Sequence, residues 1–201
     1  MTARVGDRTC RGVGYFCLKL GGHKMDFSLC EFSKLDTNAD TFQSKFLEIS
    51  EGLQDYYHIF TDGSRMNSFV GAAAVGRDVT KSLRITSKAS IFTAELVALN
   101  LSLDIIRRSK HKKFAIFSDS LSSLTAIHNR LFQTGYVQKF ILTHNQLANS
   151  GKTIILCWIP SHVGIRGNER ADEAAKSALS STISYSGGFV LAILDSPIHI
   201  S

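Results

Sequence analysis

No stretch of the 201-residue sequence holds the roughly 18–20 consecutive apolar residues that cross a bilayer; "FVLAIL", Phe189 to Leu194, is far too short. The opening "MTARVGDRTCRGVGYFCLKLGG" has arginines but no sustained apolar core and no small-residue cleavage site, so no secretory signal is read. An intracellular protein without membrane contact is expected, nucleus and cytoplasm left open. Cysteine is also scarce. The four thiols are Cys10, Cys17 and Cys30 in the N-terminal part and Cys157 alone in an apolar run, which gives no disulfide framework. With His23 the first three follow the order Cys, Cys, His, Cys, but their spacings are much wider than the tight pairs of zinc sites. Unpaired thiols are expected there.

Positive charge is missing from the last 21 residues and unevenly spread elsewhere. Residues 1–30 carry five Lys/Arg and two Asp/Glu, 31–54 two and five, and 55–180 sixteen and nine. The central segment therefore stands at +7 (sixteen minus nine). Such a balance is compatible with a polyanionic partner such as nucleic acid, without requiring one.

This length suits one well-buried domain with extensions. Residues 1–35 show no helical or strand period, and residues 1–54 read as an N-terminal extension. Within it, Phe42, Phe46, Ile49 and Leu53 fall at helical spacing, predicting a lead-in helix over 38–52 with Thr37, Asn38 or Asp40 as N-cap. Residues 55–180 hold the patterned domain, and 181–201 form a C-terminal tail. The domain opens with three predicted strands, Tyr57 to Thr61, Phe69 to Arg77 and Lys81 to Lys88, joined by short antiparallel connections.

A Leu/Ala-rich helix without Gly or Pro follows Ser90. Its inward stripe contains Glu95 with Leu99, Leu103 and Ile106. "KFAIFSD" is a fourth strand; helices over about 120–128 and 136–148 follow; "KTIILCWI" is a fifth strand that Pro160 stops. After the loop "SHVGIRG", Asn168 is expected to cap a last helix, with Glu169 in its first turn. The order is βββαβααβα, an α/β class.

Three acids share one description. Asp62 and Asp119 leave strand ends, and Glu95 lies on the inward stripe of the covering helix. Asp172 is a fourth, one turn into the last helix with Lys176 as its i,i+4 neighbour. Converging carboxylates raise one another's pKa unless a cation joins them. All-oxygen ligands favour a hard ion such as Mg²⁺, and two such ions suit in-line phosphodiester hydrolysis. Each acid also has a plain alternative: Asp62 as a turn residue, Asp119 as a cap, Asp172 as a partner of Lys176, Glu95 as a half-exposed helix acid.

"FTDGS", "FTAEL", "FSDS" and "WIPSHVGIRGNERADEAA" resemble the sequence blocks of type 1 ribonuclease H domains, particularly those of non-LTR retrotransposon polyproteins. The resemblance spans roughly Tyr57 to Leu179. It implies a ribonuclease H-like mixed five-stranded sheet, three antiparallel strands plus two parallel, flanked by helices. It also implies endonucleolytic cutting of the RNA strand of RNA/DNA hybrids with two Mg²⁺ ions, Mn²⁺ being a substitute. On this chain the implied metal ligands are Asp62, Glu95, Asp119 and Asp172, and His162 matches the family's mobile histidine, which assists proton transfer or product departure. Gly63, Ser64, Ser90 and Asn168 are candidate contacts to the nucleic-acid backbone. A monomer is expected, with a reverse transcriptase domain as partner in the parent element.

Two departures qualify the resemblance. The stretch from Leu121 to Asn149 has only Arg130 and Lys139, so the basic helical handle of bacterial relatives is missing, and no reverse transcriptase is recognisable in the chain. The basic run Arg107 to Lys113 either grips phosphates or complements a helix C-terminus. A catalytically silent retroelement-derived nucleic-acid-binding or structural domain is the alternative function. An integrase-like nuclease is a third, but such enzymes usually place their essential Glu late in the chain, whereas Glu95 comes second here.

Overall fold

A computed structural model describes residues 24–85, 87–131 and 134–180. Cys10, Cys17, His23 and the tail 181–201 lie outside the described residues, and with them the expectations attached to them. The elements run β1 (Lys24–Asp26), a short 3-10 helix (Ser28–Glu31), α1 (Ala39–Gly52), β2 (Tyr57–Met66), β3 (Phe69–Val75), β4 (Thr80–Ile85) and α2 (Ile91–Arg108). Then come β5 (Lys113–Ser118), α3 (Leu121–His128), α4 (Gly135–Asn149), β6 (Thr153–Trp158) and α5 (Arg166–Ser180).

The strands form one mixed sheet in the order β1-β6-β5-β2-β3-β4. β2, β3 and β4 pair antiparallel, whereas β5 pairs parallel with both β2 and β6. This is the ribonuclease H-like arrangement expected, with one difference: the sheet has six strands, not five. The sixth is β1, which pairs parallel with β6 at the sheet edge. Three residues are too short to display an alternating pattern, and their pairing partner lies more than a hundred residues away.

β5 is buried on both sides, as a central parallel strand must be. Its alternation feeds two cores. Phe114 and Ile116 join Ile59, Leu96, Leu99, Ile106, Ile127 and Phe140 under α2, α3 and α4. Ala115 and Phe117 join Phe42, Cys157, Ile159, Val163 and Ile165 on the other face. That second core is closed by the N-terminal segment: Phe42 of α1 is fully buried, and Phe46 packs edge-on to Phe117 at 5.3 Å. Helix α1 forms where the apolar spacing places it, and Asn38 caps it by accepting from the Thr41 amide at 2.8 Å.

The first strand of the patterned domain is longer than expected. β2 does not end at Thr61; it runs through Asp62 and Gly63 to Met66, and the chain reverses at Asn67–Ser68, with Asn67 at φ 53°. Asn tolerates this left-handed conformation, which a tight hairpin demands. Asp62 and Gly63 are therefore strand residues paired with Ala73 and Ala72 of β3. The turn-like appearance of "DGS" has another cause. A Cβ on Gly63 would come within 2.9 Å of both the Ala94 Cβ and the Glu95 backbone nitrogen, so the glycine is what lets α2 cross close to β2.

Candidate active site

β2 outlasts its parallel neighbour. The register of β2 against β5 ends at Thr61 opposite Ser118, and Asp62 and Asp119 are the next residue of each chain segment. Pairing with β3 continues to hold β2 straight past this point. Two carboxylates are thereby set side by side where β5 stops. Side chains alternate along a strand, so Asp62 shares the side of Phe60, while Gly63 turns toward α2. Through the space left by Gly63, α2 brings in Glu95. Ser90 caps that helix, accepting from the Thr93 amide at 3.1 Å, and so fixes where Glu95 falls.

One carboxylate oxygen from each of Asp62, Glu95 and Asp119 lies within 4.8 Å of the others. Asp62 is 7 % exposed and Glu95 8 %. Burial first, then the neighbouring charges of Asp119 and Asp172, pushes the Asp62 pKa up to about 8. Burial again, then Asp62 and Asp119, pushes Glu95 up to about 9. Asp119 is also raised by burial, against which a hydrogen bond from Asn168 works. Glu95 Oε2 is buried with no hydrogen-bond partner among the described residues. A buried carboxylate oxygen without a donor is costly, and a cation resolves the cost. The donor set is all oxygen, which fits a hard divalent ion.

Asp119 is held from two sides. Asn168 Nδ2 donates to its Oδ2 at 3.2 Å, and Trp158 Nε1 donates to its backbone carbonyl at 3.1 Å. Asn168 is thus not the helix cap expected from sequence: α5 begins at Arg166, and Asn168 sits buried in its first turn, aimed at Asp119. A cap and a first-turn residue differ by only two or three positions, a shift that sequence signals do not resolve.

Asp172 stands at the edge. It is close enough to raise Asp62, yet its carboxylate groups with His162 and Glu169, the three offering ligand atoms within 4.8 Å of one another. It also accepts a hydrogen bond from Lys176 at 2.6 Å, which holds the lysine's pKa up. The pairing with Lys176 expected from the i,i+4 spacing is thus present. His162 is exposed on the loop between β6 and α5 with φ 56°, and the loop brings it to Asp172 and Glu169.

The remaining candidates are less central. Ser64 is buried on β2, and Gly63 faces α2. In the basic run, Arg107 and Arg108 lean on Asp104 at 3.9 and 3.6 Å, and Lys113 pairs with Asp55 at 2.5 Å. Trp158 was not singled out by sequence, since nothing local distinguishes an indole that holds a neighbouring loop from one that fills a core. Among the described residues, no helix is long and apolar enough to cross a membrane.

The family model for RNase H matches residues 54–180, well over half of the chain. No curated protein matches the chain.

Proposed function

The chain belongs to the RNase H family, and we propose that its acidic centre hydrolyses the RNA strand of RNA/DNA hybrids by the type 1, two-ion route. The observation that supports this most is the convergence of Asp62, Glu95 and Asp119 from three separate elements, buried, with Glu95 Oε2 left without a donor. In this reading Asp62, Glu95 and Asp119 hold one Mg²⁺, and Asp172, beside Asp62, contributes to a second; Mn²⁺ is the expected substitute. When bound, divalent ions offset the carboxylate charge, make a water more acidic and stabilise charge on the leaving oxygen.

The protein's own groups do the rest. Asn168 and Trp158 fix the side chain and backbone of Asp119, so its oxygens are positioned before substrate arrives. His162, beside Asp172 and Glu169, holds or passes a proton at the leaving oxygen. The RNA strand is distinguished by its 2′-hydroxyls, which lie in the wide minor groove of a near A-form hybrid. Gly63, Ser64 and Ser90 remain proposed contacts through backbone or hydroxyl groups. With little positive charge between Leu121 and Asn149, much of the affinity is expected from elsewhere. The resemblance of the four blocks to retrotransposon domains makes a reverse transcriptase domain the proposed source of hybrid substrate for a monomeric nuclease.

The test is a Mg²⁺ titration with end-labelled RNA/DNA hybrid beside double-stranded RNA and double-stranded DNA. Shortening of the RNA strand in the hybrid alone is expected. Equal cutting of all three, or none by folded protein, contradicts the proposal.

A further inference from the structure

The family match begins at residue 54, yet the segment before it reaches the histidine loop. Gln43 Nε2, on α1, donates to the Val163 carbonyl at 2.8 Å. Lys34 Nζ, between the 3-10 helix and α1, donates to Ser161 Oγ at 2.9 Å. These two bonds fall immediately on either side of His162.

The loop needs such support. His162 has φ 56° and Gly164 φ 81°. The left-handed region is unfavourable for a residue with a Cβ, and it persists only where the surroundings hold it. Gly164 also lies so close to Gln43 that an added Cβ would stand 2.5 Å from Nε2. Beneath these polar contacts, Phe42 is fully buried in the same cluster as Val163 and Ile165. The hydrophobic residues that follow His162 therefore share a core with the helix that supplies Gln43.

We propose that residues 24–54 are a working part of the active site, in which Gln43 and Lys34 are positioning residues that hold the His162 loop beside Asp172 and Glu169. This rests on the hybrid-nuclease reading for its consequence in turnover, though not for the positioning itself. An exposed loop histidine samples many orientations when unsupported. Clamping the carbonyl after it and the hydroxyl before it limits that sampling to the side on which Asp172 and Glu169 lie. The RNase H domain of this chain is accordingly completed by a segment outside the family's boundaries.

The experiment uses the full chain with Gln43→Ala, Gln43→Glu, Lys34→Ala and Lys34→Arg, and Lys45→Ala as a control on the same helix. Gln43→Ala is expected to lower kcat on hybrid about 5–20-fold with KM changed less than about twofold, the mark of lost positioning rather than lost binding. Lys34→Ala is expected to act in the same direction, and Lys34→Arg to recover most of the loss. In a His162→Ala background, Gln43→Ala is expected to cost less than about twofold, because the residue it positions is gone. Nuclear magnetic resonance of the metal-free chain supplies the independent readout: His162 ring signals and Val163–Ile165 amide exchange should change in Gln43→Ala and stay unchanged in Lys45→Ala. Equal losses with and without His162, or unchanged His162 signals in Gln43→Ala, overturn the proposal. If wild-type protein cuts no hybrid, the nuclease reading fails, and the resonance arm still decides whether Gln43 holds the loop.

Discussion

Asn168 on α5 donates its Nδ2 to Oδ2 of Asp119, 49 residues earlier in the chain, at 3.2 Å. Through this bond the last helix orients a carboxylate that follows the central parallel strand, and the two halves of the site are tied together.

Removing the bond should reduce turnover without unfolding the protein. A hydrogen bond to a charged group is worth about 1.5–3 kcal/mol, so Asn168→Ala is expected to lower kcat on hybrid roughly 10–100-fold. Steady-state kinetics beside a thermal melt check this. Asn168→Asp should be worse, because it adds another acid beside Asp119, in a cluster where burial and mutual repulsion already raise Asp62 and Glu95.

Metal-free protein should lose stability as pH rises. Asp62 and Glu95 have ordinary values of 3.8 and 4.5, and the fold lifts them to about 8 and about 9. Between those limits the folded chain keeps protons that the unfolded chain releases, so folding is most favoured below the ordinary values and weakens up to the raised ones. Asp62→Asn should therefore stabilise the metal-free chain at neutral pH by about 1–3 kcal/mol and flatten its pH dependence. Urea unfolding across this range measures both, and a variant no more stable than wild type at neutral pH contradicts the expectation.

Mg²⁺ should reverse that penalty. An ion that binds only the folded chain raises its melting temperature in proportion to the logarithm of ion concentration over Kd. Melting wild type and Glu95→Gln with increasing Mg²⁺, then with chelator, is the check. Wild type should climb and fall back, and Glu95→Gln should move little.

Gly63→Ala should damage stability and site together. The new Cβ meets Ala94 and the Glu95 backbone at 2.9 Å, and backbone cannot rotate aside. Overpacking of this kind costs about 1–3 kcal/mol, and α2 must retreat, carrying Glu95 with it. A lower melting temperature with weaker Mg²⁺ stabilisation is expected; loss of stability alone would separate Gly63 from the proposed role of the acid cluster.

The sequence made Glu95 conspicuous because an acid on an apolar helical stripe is detectable by period alone. Asp62 and Asp119 were visible as acids following β-prone runs, but their adjacency depends on the register that ends at Thr61 and Ser118, which no local signal carries. The first strand was expected to stop at Thr61 for a physical reason: the glycine after Asp62, required by a crossing helix, looks the same in sequence as one required by a turn. β1 was invisible because three residues show no pattern. The contact of Gln43 with Val163 joins positions 120 apart, and nothing near Gln43 announces it.

Asp62, Glu95 and Asp119, gathered where β5 stops, are proposed to form the hydrolytic centre. Its most direct test is the initial rate of RNA-strand cleavage in a labelled hybrid at saturating Mg²⁺, comparing wild type with Asp62→Asn and Asp119→Asn after each is shown to be folded. Cleavage by wild type and a loss of about 10³-fold or more in both variants is predicted. Cleavage that survives either substitution undiminished, or folded wild type that leaves the RNA strand whole, would contradict it.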